Sequence, residues 1–151
     1  MRLVLDSSVL IASVKPAEPD HAPALAFVER LRGALARGDA LAFAPPELWL
    51  EVHVVEQRLA ASRRGGPAPG SALAGLAIEL VTPADAGALT AFLEVLGKRM
   101  RGRRPFSNAT DLVYLWAAWS ADATAVTLDQ GMLGYHGVVC DVTRPQHVRI
   151  G

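Results

Sequence analysis

The fold class of this chain is decided by one stretch near its start, LVLDSSVLIASV at residues 3–14. Three apolar residues end at Asp6, and two serines then lead into an apolar segment from Val9 to Val14 that is long enough for a short helix. A short apolar run followed by a helix is typical of a β-α unit, in which a strand of a sheet connects to a helix on its face. The stretch therefore predicts a strand that ends at Asp6 and a helix that begins just after it.

The rest of the chain repeats this alternation of short apolar runs and helical patterns. Helical spacing of apolar residues is clear in residues 24–37, and Pro46 occupies the first turn of the next helix, where its missing N–H costs nothing. Strands that alternate with helices predict a three-layer α/β/α fold with about five parallel strands, in a single domain over residues 1–151. The predicted strands are 3–5, 40–44, 78–81, 125–128 and 138–142, and the predicted helices are 9–14, 24–37, 46–62, 82–97, 129–133 and a Trp-rich helix that follows Asn108.

Composition excludes several classes of protein. The chain has 151 residues, of which 51% are hydrophobic, so it can bury a continuous core and is not intrinsically disordered. Fifteen basic residues balance fifteen acidic ones, so any site for a polyanion must be local. Cys140 is the one cysteine, which excludes an intramolecular disulfide. Asp6 interrupts the apolar N-terminal segment, which argues against a secretory signal peptide. We therefore expect a cytoplasmic protein.

Four acidic residues are predicted to lie near one edge of the sheet. Asp6 and Asp129 each follow a predicted strand, and the carboxyl ends of parallel strands meet at the same edge. Asp111 falls in the first turn of the Trp-rich helix, which must start near that edge to lead into the fourth strand. Glu51 lies on the flank of its helix, with no basic residue four positions away. Carboxylates gathered in this way repel one another and favour a divalent cation, most naturally Mg²⁺ or Mn²⁺.

Each of these acids also has a purely structural interpretation. Asp6 and Asp129 could be N-caps, worth about 1 kcal/mol each. Asp111 could complement a helix dipole, and Glu51 could be a solvated flank residue. These interpretations do not explain why all four acids fall near one edge.

Four segments resemble PIN domains. VLDSSVLI at residues 4–11 resembles their opening, and PELWLEV at residues 46–52 resembles their glutamate helix. ATDLVYLWAA at residues 109–118 and VTLDQGML at residues 126–133 resemble their closing half. Length and spacing are most similar to the VapC toxins of toxin–antitoxin pairs, which are small endoribonucleases.

The resemblance implies a metal-dependent endoribonuclease with Mg²⁺ or Mn²⁺ as cofactor. Its implied partners are an RNA substrate, a cognate antitoxin and a second copy of the chain in a homodimer. The implied catalytic and metal-binding residues are Asp6, Glu51, Asp111 and Asp129. The implied supporting polar residues are Ser8 and Ser107 or Asn108.

A basic cluster precedes the helix that contains Asp111. Arg101, Arg103 and Arg104 are candidates for contacts to RNA phosphates. The same arginines could equally form a solvated loop or bind an acidic antitoxin tail.

Three tryptophans differ in their predicted environment. The buried stripe of the glutamate helix is predicted to be Leu48, Val52, Val55 and Leu59, and Trp49 lies on the opposite side. An exposed Trp49 could mark a dimer or antitoxin contact, unless the second helix covers it. Trp116 and Trp119 share a face with apolar residues, which predicts that both pack in the core.

The sequence is compatible with two other functions. Asp6 could be the nucleophile of a phosphatase, but the haloacid-dehalogenase family has a second aspartate two residues on, where this chain has Ser8. A PIN-like domain that binds RNA or protein without cutting would be expected to lack one of the acids, and all four are present.

Overall fold

The computed structural model describes residues 1–62, 70–100 and 108–150. Its strands are β1 (Arg2–Leu5), β2 (Leu41–Ala44), β3 (Ile78–Leu80), β4 (Thr124–Val126) and β5 (Val142–Thr143). Its helices are α1 (Ser7–Ser13), α2 (His21–Arg37), α3 (Glu47–Ser62), α4 (Ala86–Arg99), α5 (Ala109–Ser120) and α6 (Gln130–Leu133), and Pro145–His147 forms a 3₁₀ turn. Within these ranges, no helix has both the length and the apolar character needed to cross a membrane.

The five strands form one parallel sheet in the order β3-β2-β1-β4-β5. The chain builds outward from β1 to β2 and β3, and then returns to the other side of β1 with β4 and β5. Strand order therefore reverses between β1 and β4, where Leu5 pairs with Val126. In open parallel sheets, ligands bind beside such a reversal, outside the carboxyl ends of the strands. We call this side of the sheet the carboxyl edge.

Helices cover both faces of the sheet. α1 contacts α2 and α3, whereas α5 packs against β1, β2 and β4. Right-handed crossovers place the helices of the two chain halves on opposite faces, which gives three layers. β1 is buried from Leu3 to Leu5, as expected for a central strand covered on both sides. The predicted α/β/α architecture with five parallel strands is confirmed.

Several element boundaries differ from prediction, and two of the differences have a clear local cause. The fifth strand begins at Val142 instead of Val138, because residues 135–140 form a turn in which the N–H of Gly137 bonds the carbonyl of Cys140 at 3.0 Å. Val138 is nevertheless buried, so its apolar side chain contributes to the core from within a turn and does not belong to a strand. α2 begins at His21 and includes Pro23 in its first turn, where an N–H has no intrahelical partner to lose.

Burial of α3 and of the tryptophans also differs from prediction. Trp49 is half-buried and packs against the core, which favours the alternative that it is covered over the alternative that it is an exposed contact residue. Trp119 is 37% exposed at the end of α5, where its ring lies 5.7 Å from that of Phe92, whereas Trp116 is buried as predicted. The third fully buried position of α3 is Glu56, which the predicted apolar stripe did not include.

Candidate active site

Asp6 lies at the reversal of strand order, directly after β1. Its backbone N–H continues the β1–β4 ladder by donating to the carbonyl of Val126 at 3.0 Å. Its carboxylate is buried, and Oδ2 accepts hydrogen bonds from the hydroxyls of Ser8 and, at 2.6 Å, Thr127. Although Asp6 occupies the N-cap position of α1, its side chain makes no capping hydrogen bond. The N-cap interpretation therefore does not account for this aspartate.

The two hydroxyls tie the ends of β1 and β4 together. Ser8 Oγ accepts from the N–H of Leu128 at 3.0 Å, and Thr127 Oγ1 accepts from the N–H of Asp129 at 2.9 Å. Thr127 is fully buried, so the fixed hydroxyl orients the carboxylate of Asp6. Ser8 was among the predicted site residues, whereas Thr127 was not. The signal available in the sequence was a hydroxyl residue at the end of an apolar run, two positions before an aspartate.

Glu51 reaches this region from α3 and is held by Tyr114 of α5. The Tyr114 hydroxyl donates to Glu51 Oε2 at 2.6 Å, and the tyrosine is buried. Burial raises the pKa of Tyr114, and the nearby charge of Glu51 raises it further, so the phenol stays protonated as a donor. Glu51 is part-buried and has a fixed partner, which does not fit a solvated flank residue. Tyr114 was not among the predicted site residues.

Two of the predicted acids act on a third, Asp6, through their charge. Burial raises the pKa of Asp6, hydrogen bonds from Ser8 and Thr127 oppose that increase, and the charges of Glu51 and Asp129 add to it. The carboxyl edge therefore brings at least these three carboxylates within electrostatic reach.

Asp129 has a structural role in addition to its charge. Its Oδ1 accepts from the N–H of Met132 at 2.9 Å, which caps α6. The N-cap interpretation is thus correct for Asp129, while its effect on Asp6 keeps it within the candidate site.

Asp111 and Asn108 lie at the start of α5. Asp111 is in the first turn and half-buried, three residues before Tyr114, so the two residues share a helix face. Asn108 Oδ1 accepts from the N–H of Thr110 at 3.1 Å, which makes Asn108 the N-cap of this helix. The other predicted site residues, Ser107, Arg101, Arg103 and Arg104, lie outside the described residues.

The donor set is suited to a hard cation, but it is not assembled as a ligand cage. Among residues 1–62, 70–100 and 108–150, no three His, Cys, Asp or Glu side chains are arranged to hold a metal ion. Existing hydrogen bonds partly explain why the acidic side chains are not gathered around one point, since Glu51 bonds Tyr114 and Asp129 caps α6. Both hydroxyl bonds to Asp6 go to Oδ2 and neither goes to Oδ1. Carboxylate oxygens are the preferred ligands of Mg²⁺ and Mn²⁺, and side-chain rotations would be needed to gather them.

Two clefts flank the candidate site, with Ile11 of α1 between them. One cleft of about 290 Å³ is lined by Ser8, Asp20 and Asp129 among others. The other lies beside Glu51 and is lined by the exposed apolar side chains of α3, Leu50 and Val54.

Comparison with known proteins supports the three-layer α/β/α fold. No protein-family model matches the chain, and no curated protein matches its sequence. A chain in the crystal structure of VapBC2 from Rickettsia felis bound to a DNA fragment from their promoter superposes with a TM-score of 0.59 at 12% identity, over 95% of this chain and 98% of that chain. A chain of FitAcB from Neisseria gonorrhoeae superposes with a TM-score of 0.58 at 17% identity, over 97% and 99% of the two chains. At these identities the likeness establishes a shared fold.

Proposed function

We propose that this chain is a Mg²⁺- or Mn²⁺-dependent endoribonuclease and the toxin of a toxin–antitoxin pair. The observation that supports this most strongly is the buried Asp6 at the reversal of strand order, with the charges of Glu51 and Asp129 acting on it. A buried carboxylate beside other carboxylates costs free energy unless a cation compensates it. The similarity of nearly the whole chain to chains of VapBC2 and FitAcB agrees with this proposal.

In this proposal Asp6, Glu51, Asp111 and Asp129 would hold the metal. A divalent cation bound by carboxylates orients and activates a water and stabilises negative charge on a phosphodiester. Ser8 and Thr127 hold the carboxylate of Asp6 in one orientation through Oδ2. Tyr114 holds Glu51 through Oε2 in the same way. By holding these carboxylates in place, the three donors would fix the geometry of the metal ligands.

One observation favours a second candidate, a PIN-like domain that binds RNA without cutting it. The described acids are not arranged as a ligand set of three. If they cannot rotate into one, the carboxyl edge would lack a bound metal and would not hydrolyse RNA. The phosphatase alternative has less support, because Ser8 donates to Asp6 at the position where that chemistry needs a second aspartate.

The proposed partners are an antitoxin and a second copy of the chain. Leu50 is 68% exposed and Val54 is 37% exposed, and both lie on α3 beside Glu51. An antitoxin segment that covered these apolar side chains would also cover the site. The homodimer is tested by light scattering at micromolar concentration, where a monomeric mass would remove that part of the proposal.

RNA cleavage by purified protein tests the proposed activity. Wild type should cut single-stranded RNA with Mg²⁺ or Mn²⁺ and should be inactive in EDTA. Asp6→Asn and Asp111→Asn keep the side-chain shape but remove an anionic ligand, so both should abolish cutting. Asp141→Asn is the matched control, because Asp141 is an exposed aspartate at the opposite end of the sheet. Circular dichroism should show that all variants are folded. Binding without cleavage by wild type would favour the second candidate.

A further inference from the structure

Arg144 lies on the carboxyl edge, in line with the candidate site. It directly follows β5, as Asp6 follows β1 and Thr127 follows β4. These three strands are neighbours in the order β1-β4-β5 and run parallel. Two strand spacings separate β1 from β5, a distance of about 10 Å. The arginine is therefore close enough to contact the same extended ligand as Asp6.

The side chain of Arg144 is held by a weak ion pair. Its Nη1 lies 3.5 Å from Oδ1 of Asp20, with the two side chains 23% and 41% exposed. Asp20 sits at the N-cap position of α2, but its side chain makes no capping hydrogen bond. A guanidinium has five donors in a planar fork, and the one long contact it makes with the described part of the chain leaves capacity to bind a further anion.

The location of Asp20 links this ion pair to the site. Asp20 lines the cleft that also contains Ser8 and Asp129. An RNA strand that passes from Asp6 into this cleft would bring a backbone phosphate to the pair. The phosphate and the carboxylate of Asp20 would then compete for the same guanidinium, since each presents two oxygens that its N–H groups can bind.

We propose that Arg144 binds a backbone phosphate next to the one that is cut, and that Asp20 holds the guanidinium in the free protein. This inference rests on the proposed endoribonuclease function. A structural role alone explains the pair poorly, because a part-exposed ion pair contributes little to stability. Phosphate contacts of this kind fix the position of a nucleic acid without reading its sequence.

The chain contains a matched ion pair at the opposite end of the sheet. Arg37 Nε lies 2.7 Å from Oδ2 of Asp39, just before β2, and both side chains are about half exposed. Arg37→Ala and Asp39→Asn therefore change the net charge as Arg144→Ala and Asp20→Asn do, but far from the carboxyl edge.

The test measures binding of a fluorescein-labelled single-stranded RNA by anisotropy over a series of salt concentrations. Every protein also has Asp111→Asn, so that the RNA is not cut. Arg144→Ala should make the slope of log affinity against log salt shallower by about 0.7, and should weaken binding about fivefold at 0.1 M salt. Asp20→Asn should tighten binding, and this gain should disappear when Arg144→Ala is also present. Arg144→Gln serves as a second variant if Arg144→Ala does not fold.

The controls decide between the outcomes. Arg37→Ala and Asp39→Asn should leave the salt slope of the parent protein unchanged. Equal slopes for Arg144→Ala and Arg37→Ala would overturn the role of Arg144 while leaving the nuclease proposal intact. Absence of both RNA binding and RNA cleavage in the unsubstituted protein would overturn the proposed function, and with it this inference.

Discussion

Glu56 offers the sharpest test of how the fold is held together around α3. It is fully buried, and its carboxylate accepts three hydrogen bonds from the segment that leads toward β3. Oε2 accepts from the N–H of Gly70 at 2.6 Å, while Oε1 accepts from the N–H of Ala72 at 2.8 Å and from the Ser71 hydroxyl at 3.3 Å. Replacing Glu56 with alanine removes all three acceptor contacts at once.

The loss of stability caused by Glu56→Ala depends on which of the three donors water can reach in the variant. Ala72 is completely buried, so its N–H would lose its acceptor in a dry environment, which costs about 1–3 kcal/mol. Gly70 is only part-buried, and its N–H can be hydrated. The loss of a hydrogen bond to a charged acceptor costs a further amount of about 1.5–3 kcal/mol. Together, the two costs lead us to expect that Glu56→Ala lowers the free energy of unfolding by about 4 kcal/mol. Glu56→Gln keeps one acceptor oxygen and should cost about half as much.

Urea unfolding monitored by circular dichroism measures these differences. Gln57→Ala is the control, because Gln57 is the exposed neighbour on the same helix and should change stability by less than about 0.5 kcal/mol. A loss below about 1 kcal/mol for Glu56→Ala would refute the reasoning, since it would mean that the three donors find other acceptors.

Two further predictions concern the candidate site. Burial, together with the charges of Glu51 and Asp129, raises the pKa of Asp6, so the folded protein keeps this proton at pH values where the unfolded chain has lost it. In EDTA, the free energy of unfolding should therefore fall as pH rises from the ordinary aspartate range through the raised pKa, and Asp6→Asn should reduce that fall. Identical pH dependence in urea titrations of the two proteins would contradict this. Tyr114→Phe removes the donor that orients Glu51, so Mn²⁺ affinity measured by calorimetry should drop by about tenfold. Unchanged affinity would mean that Glu51 is not a ligand or needs no support.

The architecture could be predicted because its signals are local. Apolar runs and helical spacing fixed the number and order of the elements, and the rule that parallel strands end at one edge placed Asp6 and Asp129 on the same side. The Trp-rich helix was correctly predicted to begin after Asn108, and an asparagine at that position is a favoured N-cap residue.

The errors arose where a side chain finds its partner far along the chain. Glu56 is buried because backbone donors 14 and 16 residues away meet it, and no helical periodicity can indicate those partners. Thr127 and Tyr114 contact acids 121 and 63 residues away, so their hydroxyls were indistinguishable from ordinary core positions. Val138 is buried from a turn, and an apolar residue in a turn has the same sequence signal as one in a strand.

Binding of a divalent cation at the carboxyl edge is the central claim, and thermal unfolding tests it most directly. An ion that binds only the folded protein at a hundred times its Kd adds about 2.7 kcal/mol of stability. For a chain of this length, that corresponds to an increase in Tm of about 5–10 °C. We predict such an increase for wild type when EDTA is replaced by millimolar Mn²⁺ at neutral pH, and a much smaller one for Asp6→Asn. Equal Tm values for wild type in EDTA and in Mn²⁺ would contradict the account.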